Sequence, residues 1–190
     1  MTDEIIRFTR LPLTPEQSEW LKGTIRDIPD FPKPGIVFKD LTTLLRNPDA
    51  FRFVVDALSE KYSEARPNYV AAIEARGFIL GPSIAHRLGA GFVPIRKPGK
   101  LPHIVERESY SLEYGTDSIE IHNDAIEKAS RVVLIDDLLA TGGTALAAYR
   151  LLSRLGAQVL GIGFVVELAF LGGRSKLPPE VDVFSLISYD

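Results

Sequence analysis

A mainly parallel α/β sheet with helices on its faces is the fold class this sequence predicts. Buried-strand candidates recur at Tyr69–Ile73, Val132–Ile135 and Val159–Leu168. In the second of these the apolar run is continuous, as in a strand covered on both faces rather than one. Two of the candidates run directly into short polar, glycine-bearing turns, Glu74–Gly77 and Asp136–Thr144, and each turn opens a helical pattern. Strands that alternate with helices in this way connect in parallel.

The remaining elements follow in order. Residues 1–13 show no period and read as a loose arm. Thr14-Pro15-Glu16-Gln17 combines an N-cap, a proline at the first helical position and an acid in the first turn, so a helix to about Ile25 should bury Trp20, Leu21 and Ile25. Ile28–Gly35 is too rich in proline for regular structure, and Ile36–Asp40 follows as a short extended piece. Asn47-Pro48-Asp49 starts a helix whose Phe51, Val54, Val55, Leu58 and Tyr62 share one face. After Tyr69–Ile73 comes a helix over Phe78–Leu88 with Pro82 in its first turns, then a strand at Gly91–Ile95. Arg96–Pro102 reads as a mobile basic loop, and Ser118–His122 alternates like an exposed strand. Val132–Ile135 should end as a strand at Asp136; beyond the glycines, Ala148, Leu151, Leu152 and Leu155 form a helix face that Gly156 stops. A turn at Gly172–Leu177 separates Val159–Leu168 from a last strand at Val183–Ser188.

A chain of 190 residues is most simply a single domain spanning 1–190. Such a length buries roughly 70% of the surface its unfolded chain exposes, enough for a core without staples. There is no cysteine, and the formal charge of −3 gives no support for a nucleic-acid or membrane partner. No apolar run approaches the ~18 residues of a membrane span, and the charged start lacks a signal peptide's apolar core, so a cytoplasmic location is expected. His86, His103 and His122 have no metal-ligand spacing and read as surface residues.

The chemistry concentrates where strands meet helices. Gly142 and Gly143 can bare backbone N–H groups at a helix start, and Ala140, Thr141 and Thr144 complete a cradle for a phosphate. Asp136 and Asp137 cannot face that anion closely, so they should meet sugar hydroxyls or a magnesium ion. No lysine follows the glycines as in a Walker A loop, and no G-x-G-x-x-G is present. Glu74-Ala75-Arg76-Gly77 forms a second anion site, with Arg76 as the forked, permanently charged ligand.

The run R-V-V-L-I-D-D-L-L-A-T-G-G-T over Arg131–Thr144 resembles the phosphoribosyl-diphosphate motif of the type I phosphoribosyltransferases. The stretches Ile36–Asp40, R-K-P-G-K-L-P and Y-S-L-E-Y-G resemble the adenine-using members of that family, and the likeness spans roughly residues 26–190. It implies the type I phosphoribosyltransferase fold, with a small N-terminal hood over about 1–45 and a flexible catalytic loop over about 96–117. By the resemblance, Val37, Phe38 and Lys39 hold adenine, Lys39 through its backbone. Glu113 is the acid/base at the purine, and Tyr114 covers the diphosphate or holds the closed loop. Glu74, Ala75, Arg76 and Lys100 bind diphosphate, with Arg96 and Lys97 as further loop cations and a non-proline cis peptide at Glu74–Ala75. The expected cofactor is Mg2+, held by substrate and water rather than by a protein cage. The expected partners are adenine, phosphoribosyl diphosphate, AMP, diphosphate and a second copy of the chain in a homodimer. Two other readings remain: a regulator that senses phosphoribosyl diphosphate or a purine, and a transferase for hypoxanthine, guanine or xanthine.

Overall fold

The computed structural model describes residues 10–111 and 116–190. Helix α1 (Pro15–Gly23) opens on a reciprocal cap, in which Thr14 Oγ1 accepts from the Gln17 N–H at 3.2 Å and Gln17 Oε1 from the Thr14 N–H at 3.1 Å. Strands β1 (Arg26–Pro29) and β2 (Val37–Asp40) pair antiparallel as a small separate ribbon. A single turn, α2 (Thr42–Leu45), leads to α3 (Pro48–Ser63), whose Asn47 side chain accepts from the Asp49 and Ala50 N–H groups. There follow β3 (Tyr69–Ile73), α4 (Gly77–Leu88), β4 (Gly91–Ile95), the hairpin β5 (Val105–Ser111) and β6 (Thr116–His122), then β7 (Arg131–Leu139), α5 (Gly143–Arg154), β8 (Gln158–Leu168) and β9 (Val183–Tyr189).

The central sheet has the order β4-β3-β7-β8-β9, with every pairing parallel. Its faces explain the apolar run. Val133 and Ile135 of β7 pack with residues of α1, α3 and α4, whereas Val132 and Leu134 pack with α5 and the β5–β6 hairpin. All four side chains are fully buried, and each contributes roughly 1.5–3 kcal/mol through the water it sheds. Among the described residues no helix is long and apolar enough to cross a membrane.

Several expectations need correction. Strand β7 does not stop at Asp136; Asp136 pairs with Phe164, Leu138 with Val166 and Leu139 with Glu167, because the long β8 offers a ladder partner past the acids. The segment at Ser118–His122 is a strand but not an exposed one. It pairs with β5, which had not been expected as a strand, and α5 covers the hairpin, burying Ile119 and Ile121. On α3, Val54, Val55, Leu58 and Tyr62 are buried as expected, while Phe51 is only partly covered. Phe53 takes a central place instead, edge-on to Trp20 at 5.4 Å, because α1 packs on a second flank of that helix.

Candidate active site

Strands β3 and β7 are neighbours, with Ala72 opposite Ile135, yet β4 lies on the far side of one and β8 on the far side of the other. Where strand order reverses in this way, the following turns splay apart and leave a crevice beyond the carboxyl ends. Here that crevice is a cavity of about 260 Å³. Glu74, Ala75 and Arg76 form one wall and the continuous stretch Asp136–Ala145 another, with Lys97 and Tyr110 at the side. The two anion turns recognised separately in the sequence therefore share one cavity.

Gly142 sits at the mouth of α5 in the left-handed region (φ 78°), a conformation that disfavours any other residue. The chain then enters the helix through Gly143 and Thr144, with the Leu146 N–H bonded to the Gly142 carbonyl at 3.0 Å. The peptide between Glu74 and Ala75 is cis, as the resemblance implied.

Charge is arranged in two groups. The Arg76 guanidinium donates to Asp137 Oδ2 rather than pairing with Glu74, and Asp136 Oδ1 accepts from the Asp137 N–H at 2.9 Å. Burial, and then the neighbouring Asp137, push the Asp136 carboxyl well above the usual carboxylate range. Glu74 is the centre of the second group. Its carboxylate accepts from Arg96 Nε at 3.0 Å and from the Lys97 N–H at 2.7 Å, and it pairs with the Lys100 ammonium at 3.0 Å. Burial works to raise the Glu74 pKa, but these donors outweigh it and hold the carboxyl below its ordinary value. The basic loop is thus tied to the sheet at its base, with Gly99 N–H bonded to the buried Glu120 at 2.9 Å and Lys97 Nζ bonded to the Tyr110 hydroxyl at 2.9 Å.

Val37, Phe38 and Lys39 do not line the cavity and lie on the β1–β2 ribbon. Val37 is half exposed, and Phe38 stacks edge-on to Phe31 at 5.3 Å. The Lys39 ammonium is engaged elsewhere, 2.6 Å from Asp27 Oδ1 and 4.0 Å over the Tyr189 ring, and its backbone lies in the ribbon opposite Asp27. Asp40 ties the ribbon down, accepting from Arg26 Nε at 3.1 Å, from the Thr42 N–H at 2.9 Å and from the Thr42 hydroxyl at 2.7 Å. Glu113 and Tyr114 lie outside the described residues. Two contributors went unrecognised in the sequence. Tyr110, two residues before the Leu112-Glu113-Tyr114 run, reaches the cavity. Gly173 touches the glycine turn from behind. The only signal for the latter was a second Gly-Gly pair, which read as an ordinary turn.

Comparison with known proteins agrees with this geometry. The phosphoribosyl transferase domain family matches residues 40–188. The adenine phosphoribosyltransferase of Acaryochloris marina is 56% identical over 169 residues, covering 89% of this chain and 99% of that protein. The crystal structure of adenine phosphoribosyltransferase from Thermoanaerobacter pseudethanolicus superposes with a TM-score of 0.86 at 51% identity, covering 90% of this chain and 99% of the other. The Saccharomyces cerevisiae enzyme, solved with adenine and an imino-altritol bisphosphate, gives 0.84 at 43% identity over 89% of this chain and 97% of its own. The chain belongs to the phosphoribosyltransferase family and, within it, to the adenine phosphoribosyltransferases.

Proposed function

We propose that this chain transfers the 5-phosphoribosyl group from phosphoribosyl diphosphate to adenine, giving AMP and diphosphate. The observation that carries the reading is the convergence of two anion turns on one cavity with a pair of acids between them. A phosphorylated sugar diphosphate presents the matching pattern, with an anion at each end and hydroxyls in the middle. In the reaction the bond from C1′ to the diphosphate oxygen breaks, a bond from C1′ to a purine nitrogen forms, and the base loses a proton. Ala140–Thr144 grip the 5-phosphate through backbone N–H groups, the helix start and the threonine hydroxyls. Asp136 and Asp137 accept from the ribose hydroxyls. Arg76, Lys100 and the Glu74–Ala75 turn hold the departing diphosphate, with Tyr114 over it and Arg96 and Lys97 adding positive charge. Val37, Phe38 and the Lys39 backbone seat adenine, and Glu113 takes its proton. Positioning and fixed charge supply most of the rate, since the reading needs no covalent nucleophile.

Magnesium fits the donor set. Asp136 and Asp137 line the cavity, and a hard cation that keeps its water and substrate oxygens needs no more from the protein than one or two such carboxylates. When bound, magnesium neutralises diphosphate charge. A homodimer belongs to the proposal, supported by the large apolar side chains Ile79, Ile104 and Phe170 on the surface. So does a cytoplasmic location, because a substrate carrying this much charge does not cross a bilayer unaided. The test is diphosphate release with phosphoribosyl diphosphate, magnesium and each purine base in turn. Turnover with adenine alone is expected. Turnover with a 6-oxopurine instead would overturn the base assignment, and binding without turnover would favour a sensor.

A further inference from the structure

We propose that the turn at Gly172–Arg174 is a positioning element for the phosphate cradle, with Gly173 as its point of contact. The inference rests on the reading of Ala140–Thr144 as that cradle. A Cβ added at Gly173 would lie 2.1 Å from the Ala140 carbonyl oxygen and 2.9 Å from the Gly142 nitrogen. Reciprocally, a Cβ on Gly142 would lie 2.4 Å from the Gly173 carbonyl oxygen. All of these are backbone atoms, which cannot swing aside as a side chain would. Gly173 therefore lies backbone against backbone with Ala140 and Gly142, and it is not among the residues that line the cavity.

The turn is itself held firmly. Arg174 donates from Nε to Glu167 Oε1 at 2.9 Å, with a second bond to Oε2, and from Nη1 to the Val183 carbonyl at 2.5 Å. Ser185 Oγ donates to the same Glu167 at 2.9 Å. Glu167 is buried and sits on the rung of the sheet opposite Leu139, the residue immediately before the cradle. Strand register thus sets the turn and the cradle from one place. A phosphate held by backbone N–H groups needs those groups aimed in advance, because a displaced peptide loses several donors together.

Two glycines separate positioning from stability. Gly89, at the end of α4 and outside this turn, has φ +64° with nothing within 4 Å of an added Cβ, so Gly89→Ala strains the backbone without pressing on the cradle. Gly173 begins a 3-10 turn and is required for space rather than angle. Gly173→Ala is expected to raise KM for phosphoribosyl diphosphate at least tenfold while KM for adenine stays within about twofold. Gly89→Ala is expected to lower Tm and leave both KM values within about twofold. Equal rises in the two variants, or none in Gly173→Ala, would overturn the proposal. Should Gly173→Ala fail to fold, Arg174→Gln releases the turn without adding an atom near the cradle, and an unchanged KM for the sugar substrate there would overturn it equally. Thr144→Val distinguishes the underlying reading. If it leaves that KM unaltered, the cradle assignment fails with the inference built on it; if it raises KM and Gly173→Ala does not, only the positioning role falls.

Discussion

Replacing Asp40 by asparagine should loosen the ribbon that carries Val37–Lys39, and the loss can be estimated. The Asp40 carboxyl is held at about 2, from an ordinary 3.8, first by the Thr42 hydroxyl and then by Arg26 and the Thr42 N–H. At about 1.4 kcal/mol per pH unit that gap corresponds to about 2.5 kcal/mol. Arg26 is 57% exposed, so water screens part of the interaction, and about 1–2 kcal/mol is the working figure. With a urea slope of about 2 kcal/mol/M, Asp40→Asn should lower the unfolding midpoint by about 0.5–1 M at pH 7. Because the folded carboxyl is the stronger acid, its contribution is complete above about pH 4 and is lost as pH falls through about 2. The difference between wild type and variant should therefore shrink between pH 7 and pH 3. Urea titrations at both values, followed by far-ultraviolet circular dichroism, measure it. An unchanged midpoint at pH 7, or a gap that widens in acid, would refute the assignment of Asp40 as the ribbon's anchor.

Glu113→Gln should cut kcat at least 100-fold while phosphoribosyl diphosphate binding, measured by calorimetry, changes less than threefold; unaltered turnover would remove Glu113 from the chemistry. Asp137→Asn loses both a ribose acceptor and the partner of Arg76, and should raise KM for the sugar substrate about tenfold, with adenine as the control. Lys39→Met discards an ammonium already committed to Asp27 and Tyr189. KM for adenine should move less than threefold, and a tenfold rise would assign the base contact to the side chain. Leu134→Ala, in a core without exposure, should cost about 2–5 kcal/mol in urea unfolding with no selective effect on either substrate.

What was legible in the sequence was local or periodic. The Thr14 and Asn47 caps lie within a few residues of the N–H groups they satisfy. The run Val132–Ile135 announced a strand buried on both faces because no face of it was polar. The two anion turns were readable for the same reason, since strand, acids, glycine and helix start are adjacent along the chain. Their meeting in one crevice followed from the parallel topology, although their shared cavity was visible only in the structure.

What only the tertiary structure decided depends on partners far away in sequence. Arg76 pairs with Asp137 rather than the nearby Glu74, because β3 and β7 are neighbours and the Glu74 carboxylate is already taken by Arg96, Lys97 and Lys100. The β5–β6 hairpin is buried on one side because α5 lies over it, a fact its own alternation could not contain. Asp136 resists ionisation through burial beside Asp137, and burial is a property of the assembled sheet. Gly173 meets the cradle because the register of β7 on β8 brings two turns into backbone contact. Composition and periodicity determine which segments become strands, caps and anion turns, since those preferences act over a few residues. Which charge meets which, and which glycine has no room for a side chain, is settled by packing across the whole chain.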